Sequence, residues 1–132
     1  MSLESARHRA WLWIRQAEDD LRAARLLQEA GQSAQACFLS QQVGEKAIKA
    51  LLAAEDRDLR SHSLTALLRM LDEELAVRWQ RQARVLDKLY APTRYPDALG
   101  DELPADVFGP EDGAAALQAA GELLDWAAHQ LQ

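Results

Sequence analysis

Four polar residues near the middle of the chain recur at the spacing of one helical face. Gln42, Glu45, Lys46 and Lys49 stand three or four positions apart, so a helix would place them side by side. Two ammonium groups one turn apart can hold a phosphate group, and two of the chain's three lysines stand here. The same spacing also suits an ordinary salt bridge between Glu45 and Lys49 on a solvated face, so both interpretations stay open.

A histidine marks a second place where chemistry is feasible. His62 follows a charged connector that carries Arg57 and Arg60. An imidazole there can titrate near neutral pH, or it can cap the following helix with its ring. His8 and His129 are predicted to lie on the surface. No His, Cys or acidic cluster has metal-ligand spacing, and no glycine-rich phosphate loop is present. We therefore expect neither a metal nor a cofactor.

A third candidate joins a planar cation to the only two tyrosines of the chain. Tyr90, Arg94 and Tyr95 stand within one short segment between a predicted helix and a proline-rich loop. The guanidinium offers a fork for phosphate, and the rings could stack on a base. The alternative is that the tyrosines only anchor the loop on the core.

Two neighbouring acids on the first predicted helix are a poor pair for acid–base catalysis. Asp19 and Asp20 are adjacent, and adjacent helical residues point about 100° apart, so they cannot both face one substrate. Asp20 alone could reach inward and pair with a base of the second helix.

Helices must position these residues, because apolar side chains recur every three or four positions over most of the chain. Gly31 predicts a helix end, Ser33 a helix cap, and Pro110 the first turn of a last helix. Four prolines between residues 92 and 110 exclude a regular helix there and predict a long irregular loop. The predicted helices are residues 3–30, residues 33–54, a short helix capped by Ser61 or Ser63, residues 74–90, and a helix from Pro110.

The inward faces of these helices follow from the same periodicity. The second helix is apolar on two sides, which predicts a central position in the bundle. The sequence therefore predicts one all-α domain over residues 1–132, a four- to five-helix up-and-down antiparallel bundle. The predicted buried faces are Trp13, Ala17, Leu21, Ala24 and Leu27 on the first helix, and Ala115, Ala119, Leu123, Trp126 and Ala127 on the last.

Composition limits the class of protein. The 132 residues suit one domain, and the apolar residues are mostly Ala and Leu, which favours helices. The net charge of -6 argues against general attraction to nucleic acid or to an acidic membrane. The single cysteine, Cys37, fits core packing in a reducing cytoplasm, and no apolar run is long enough to span a membrane. Abundant Arg and absent Asn are typical of GC-rich or heat-loving bacteria.

These segments together form a pattern that resembles the HEPN domain family, named for nucleotide-binding proteins of higher eukaryotes and prokaryotes. The matching order covers nearly the whole chain. The most specific part is the stretch from Gln41 to Leu52 followed by the His-x-Leu start of the third helix. The matching segments are Trp13 with Ala17–Ala24, Phe38 to Leu52, His62 to Leu67, and Tyr90-x-x-x-Arg94-Tyr95-Pro96.

The resemblance implies a bundle that often forms a homodimer or a higher homo-oligomer, and that works with a minimal nucleotidyltransferase in a toxin–antitoxin-like pair. It also implies nucleotide or RNA binding, with ATP or GTP as the nucleotide class. Carried over position by position, the implied nucleotide-binding residues are Gln42, Glu45, Lys46, Lys49, His62, Tyr90, Arg94 and Tyr95.

One departure bears on catalysis. Family ribonucleases carry an Arg, four to six residues, then a His late in the bundle, whereas no His follows Arg94 here until His129. Arg57 and His62 have the spacing but lie in the connector. Three hypotheses remain: a binding module without chemistry of its own, a metal-independent ribonuclease toxin with His62 as acid–base and Arg57 or Arg94 as phosphate stabiliser, and a purely structural bundle.

Overall fold

The helices of this chain pack around one core that three long helices dominate. The computed structural model describes residues 2–132, and no strand occurs within that range. The longest helices lie against one another, with the second between the first and the last. In chain order the helices are α1 (Leu3–Glu29), α2 (Ser33–Ala54), α3 (Leu64–Leu71), α4 (Glu73–Arg78), α5 (Gln80–Asp87), α6 (Pro104–Val107) and α7 (Pro110–Gln130).

The turn from α1 to α2 depends on a glycine, as predicted. Gly31 has φ 82°, a conformation that only glycine adopts easily, and its N–H donates to the Gln28 carbonyl at 3.0 Å. The predicted cap by Ser33 is wrong. Gln32 is the N-cap of α2 and makes no side-chain cap bond, so Ser33 is already the first helical residue and is buried.

Helix α2 is central, as its two apolar faces predict. It packs against α1, α7, α3 and α5, and Val43, Ala47 and Ile48 are fully buried. Cys37 lies in this core, as expected from its apolar surroundings. Gly44 allows the close approach, because a Cβ there would lie 2.6 Å from methyl groups of Leu64 and Leu86.

Two residues of the predicted buried faces lie outside them. Trp13 is 37% exposed, and Ile14, one position later, is buried in its place. Likewise Ala115 is exposed while Ala116 is buried. Neighbouring side chains of a helix point about 100° apart. In both helices the buried alanines determine which face packs against the core, and Trp13 and Ala115 lie beside that face. The buried residues of α1 are Ala6, Ala10, Ile14, Ala17, Leu21 and Ala24.

The single helix predicted over residues 74–90 is broken in two. The chain leaves helical geometry at Trp79 (φ -102°, ψ 16°), whose ring packs against Trp126 at a centroid distance of 5.1 Å. Helix α5 then ends at Asp87, and the following loop holds a 3₁₀ turn over Pro96–Leu99 and the one-turn α6. Both turns begin with proline, which the first turn of a helix tolerates.

Candidate functional site

Three separate segments of the chain meet beside the middle of α2. Glu45 comes from α2, His62 from the connector directly before α3, and Tyr90 with Arg94 from the segment after α5. Side chains of His62, Ser63, Asp87 and Tyr90 line a shallow cleft of about 230 Å³ there. Because these residues are far apart in sequence, only the packing of α3 and α5 on α2 brings them together.

The carboxylate of Asp87 joins two of these segments. It accepts the N–H of Leu64 at 2.7 Å and the hydroxyl of Thr65 at 2.9 Å, so it satisfies the start of α3 from outside that helix. Ser63 is the N-cap of α3, as predicted, and its hydroxyl accepts the N–H of Ala66 at 3.1 Å. His62 is therefore held immediately before a doubly capped helix start.

A buried carboxylate reaches the imidazole of His62. The Glu45 side chain is 7% exposed, and its Oε1 lies 3.1 Å from His62 Nδ1. The same oxygen accepts Gln41 Nε2 at 3.2 Å, while Oε2 accepts Lys49 Nζ at 3.0 Å. The ring of His62 thus contacts Glu45 rather than capping α3, and its side chain remains 58% exposed.

These donors decide the charge of Glu45. Burial alone raises the pKa of a carboxyl group, but hydrogen bonds from Lys49, Gln41 and His62, with the charge of Lys49, outweigh burial here. The pKa of Glu45 is lowered from its ordinary value of 4.5, so this buried group is an anion at neutral pH.

Planar groups stack beside this anion. The His62 ring lies on the Tyr90 ring with centroids 4.5 Å apart and planes inclined by 21°. The Arg94 guanidinium lies 4.0 Å from the centroid of Tyr90 and 4.8 Å from that of Phe38. Such contacts hold a guanidinium in place and leave its N–H groups free to bind an anion. Within the described residues, Arg94 forms no ion pair.

The two lysines of the polar face already have partners. Lys46 Nζ pairs with Asp20 Oδ2 at 2.5 Å, which is the inward contact that the sequence suggested for Asp20. Asp19 points away and pairs with Arg22 at 2.6 Å, as expected for adjacent helical residues. Lys49 forms the i,i+4 salt bridge with Glu45, and its ammonium lies 5.9 Å from the Trp13 ring centroid.

The remaining predicted residues lie at different distances from the cleft. Gln42 donates through Nε2 to Gln41 Oε1 at 2.7 Å and thereby supports the amide that contacts Glu45. Tyr95 is 48% exposed. Arg57 donates to the Met70 carbonyl at 2.6 Å and pairs with Glu55 at 3.3 Å, so its guanidinium binds the end of α3 rather than His62.

Sequence reasoning missed three residues of this site. Gln41 is fully buried and donates to both Glu45 and the His62 carbonyl, the latter at 3.3 Å. Its place four residues before Glu45 was the available signal. The ring of Phe38 packs against the Arg94 guanidinium, and Asp87 caps α3. Nothing in the local sequence links Asp87 to α3, because their contact depends on the tertiary fold.

Two structural features bear on the classes of function. Among the described residues, no group of three or more His, Cys, Asp or Glu side chains is arranged to hold a metal ion. Over the same range, none of the helices combines the length and the apolar character needed to cross a bilayer.

Comparison with known proteins adds relatives of known fold. TT1696 from Thermus thermophilus is 36% identical, with a TM-score of 0.85 over 92% of this chain and 97% of that one. ST0689, an archaeal HEPN homologue, is also 36% identical, with a TM-score of 0.80 over 93% of this chain and 98% of its own. An HEPN domain protein of Thermotoga maritima shares the fold at 23% identity, with a TM-score of 0.71 over 90% of this chain and 96% of that one.

Sequence comparison agrees with this structural similarity. A protein of Methanocaldococcus jannaschii named "Putative toxin MJ1304" is 28% identical in an alignment of 127 positions that covers 88% of this chain and 84% of that protein. The model of the HEPN domain matches residues 10–130, a range that includes every residue of the cleft. The chain therefore belongs to the HEPN domain family.

Proposed function

We propose that this HEPN domain protein is a binding module that takes the phosphate of a nucleotide or of RNA at Arg94, next to the cleft that His62, Ser63, Asp87 and Tyr90 line. The observation that carries the proposal is the Arg94 guanidinium, which stacks on Tyr90 and Phe38 without an ion-pair partner in the described chain. A fixed, uncompensated guanidinium is the group that best matches phosphate geometry.

The rest of the predicted set divides by its contacts. His62 and Tyr95 are exposed and can touch a ligand, while the Tyr90 ring packs against both His62 and Arg94. Lys49 pairs with the buried Glu45, and Lys46 is neutralised by Asp20. In this proposal Gln42, Glu45, Lys46 and Lys49 shape the site, and Arg94 supplies the charge.

Titration calorimetry with ATP, GTP and a short single-stranded RNA tests the proposal. We expect saturable binding that Arg94→Ala weakens by about 1.5–3 kcal/mol, the contribution of a hydrogen bond to a charged group. Arg94→Lys should recover only part of that loss, because lysine lacks the planar fork. The matched control is Arg15→Ala, which removes an exposed arginine of α1 that is not part of the candidate site. Equal binding by Arg94→Ala and Arg15→Ala would contradict the proposal.

We further propose a minimal nucleotidyltransferase as the protein partner, in a toxin–antitoxin-like pair. Membership of the HEPN family and the similarity to MJ1304 support it. Co-purification of this chain with a minimal nucleotidyltransferase from the same genome tests the pairing. No complex at micromolar concentrations of both proteins would count against the pairing but would leave nucleotide binding unaffected.

A ribonuclease is the second candidate, and one observation favours it. His62 is exposed, oriented by a buried carboxylate, and stacked on the ring that also carries Arg94, an arrangement suited to acid–base chemistry beside a phosphate. Growth arrest on expression, lost in His62→Ala, would support it. Intact RNA after incubation with the protein would exclude it and leave the binding module or a purely structural bundle.

A further inference from the structure

The contacts of Glu45 constrain where the proton of His62 resides. Among the described residues, every group within hydrogen-bonding distance of the Glu45 carboxylate is a donor or is the His62 ring. Lys49 donates to Oε2 at 3.0 Å, and Gln41 donates to Oε1 at 3.2 Å. The amide of Gln41 cannot be turned around, because its Oε1 accepts Gln42 Nε2 at 2.7 Å and its Nε2 also donates to the His62 carbonyl.

The Glu45 carboxylate is ionised, and an ionised carboxylate only accepts hydrogen bonds. Its Oε1 lies 3.1 Å from His62 Nδ1, so the hydrogen bond requires a proton on Nδ1 even when the imidazole is neutral. The lone pair of the neutral ring then resides on Nε2, on the far side of the ring from Glu45. The His62 side chain is 58% exposed, and Nε2 has no hydrogen-bond partner among the described residues.

We propose that Glu45 is a positioning residue that fixes neutral His62 in its Nδ1–H tautomer, so that Nε2 offers a hydrogen-bond acceptor to the ligand. This inference rests on the proposed function, which places the ligand at His62 and Arg94. It also divides the site: Arg94 has only donors and suits phosphate, whereas neutral His62 suits a ligand hydroxyl. A ribonucleotide carries both groups.

The tautomer can be measured directly on the whole protein. Long-range ¹H–¹⁵N spectra in alkaline buffer distinguish the two neutral forms, and His62→Gln identifies the signal among the chain's three histidines. His129 is an internal reference, because its Nδ1 lies 2.7 Å from the Asp125 carbonyl oxygen, which can only accept. We expect His62 to give the Nδ1–H pattern. An Nε2–H pattern in the wild-type protein would overturn the proposal without any variant.

The variant Glu45→Gln should reverse the pattern. The charged Lys49 is the stronger donor and takes the one carbonyl oxygen of the glutamine, at the cost of the hydrogen bond from Gln41. The NH₂ group then faces Nδ1 and favours the Nε2–H tautomer. The matched control is Lys49→Met, which removes the donor on Oε2 and leaves the Oε1 contact with His62. A His62 tautomer that is unchanged in Glu45→Gln would contradict the role of Glu45.

Binding then separates positioning from mere structural support. We expect Glu45→Gln to bind ATP about tenfold more weakly than the wild-type protein, the size of one lost hydrogen bond, and to bind 2′,3′-dideoxy-ATP equally well. Equal losses for both nucleotides would mean a structural role and overturn the proposal. Failure of the wild-type protein to bind ATP, GTP or RNA would instead defeat the proposed function. The assignment of the tautomer would stand, because it is measured without ligand.

Discussion

Single side chains in this site carry charges that the sequence pattern only partly predicts. The spacing of Glu45 and Lys49 predicts their salt bridge, and the 100° step between Asp19 and Asp20 predicts that only one of them turns inward. The sequence could not predict that His62 would meet Glu45, because their contact spans a connector without periodicity. The spacing of residues in the sequence therefore predicts side-chain contacts within a helix but not contacts across a loop.

The buried Glu45 should make folding stability depend on acid pH. Its folded-state pKa lies below the ordinary value of 4.5, so its ionised form stabilises the fold fully above that pH. This stabilisation is lost as the pH falls through the folded-state pKa. We expect Glu45→Gln to lower the free energy of unfolding at pH 7 by about 1.5–3 kcal/mol. Urea unfolding between neutral and strongly acidic pH measures this. A variant whose stability falls with acid as steeply as that of the wild-type protein would contradict the assignment.

Cys37 should be chemically inert in the folded protein. It is fully buried, and burial, with a smaller effect of Asp112, raises the pKa of its thiol from 9.0 to about 11. We expect no alkylation by iodoacetamide at mildly alkaline pH until denaturant is added, and then complete reaction. Mass spectrometry counts the adducts. Rapid labelling of the native protein would show that α2 opens locally.

Helix boundaries follow from sequence where a special residue marks them. Gly31 and Pro110 correctly predict the end of α1 and the start of α7. The break between α4 and α5 has no such marker, because Trp79 leaves helical geometry where it packs on Trp126, a residue of the last helix. Elements whose ends depend on partners distant in sequence are those that periodicity misjudges.

The close packing of α2 can be tested at Gly44. A Cβ at this position would lie 2.6 Å from the Leu64 and Leu86 methyl groups, and both leucines are fully buried. Overpacking costs about 1–3 kcal/mol, and the better helix propensity of alanine offsets up to about 1 kcal/mol. We expect Gly44→Ala to lower the free energy of unfolding by about 1–2 kcal/mol in thermal or urea unfolding.

Gly121 provides the matched control on α7. A Cβ there would meet nothing within 4 Å, so Gly121→Ala should stabilise the protein by about 0.5–1 kcal/mol through helix propensity alone. Stabilisation of similar size by both substitutions would mean that α3 and α5 can move away from α2 at no cost.

The molecule as a whole carries a net charge of -6, yet its candidate site depends on a cation. The sequence predicts the all-helical class and the central position of α2 because both follow from composition and periodicity. The convergence of α2, the connector and the segment after α5 is a property of the packed bundle, and no single stretch of sequence contains it. The charge at the site, and not the net charge of the chain, therefore indicates which ligand the site can bind.

Binding of RNA should accordingly depend only weakly on salt. If Arg94 makes one or two phosphate contacts, log K should fall against log salt concentration with a slope of about -0.7 to -1.4 for a single strand. Fluorescence anisotropy over a range of salt concentrations measures this slope, and Arg94→Ala should reduce it by about 0.7. A slope steeper than about -3 would indicate an extended basic surface instead of a local site.

The contacts of Asp87 also restrict the number of residues in the segments next to it. Its carboxylate accepts the backbone N–H groups of Leu64 and Thr65, two and three residues after His62, while Tyr90 follows three residues after Asp87 itself. The stack of His62 on Tyr90 therefore depends on the lengths of two short segments, residues 62–65 and residues 87–90, which the Asp87 carboxylate holds together. We expect the length of the loop over residues 96–109 to vary among relatives that keep the stack, because that loop lies outside both segments. An insertion or deletion between Asp87 and Tyr90 would rotate the tyrosine away from His62. Changes in length should therefore be tolerated in the loop over residues 96–109 but not between residues 87 and 90.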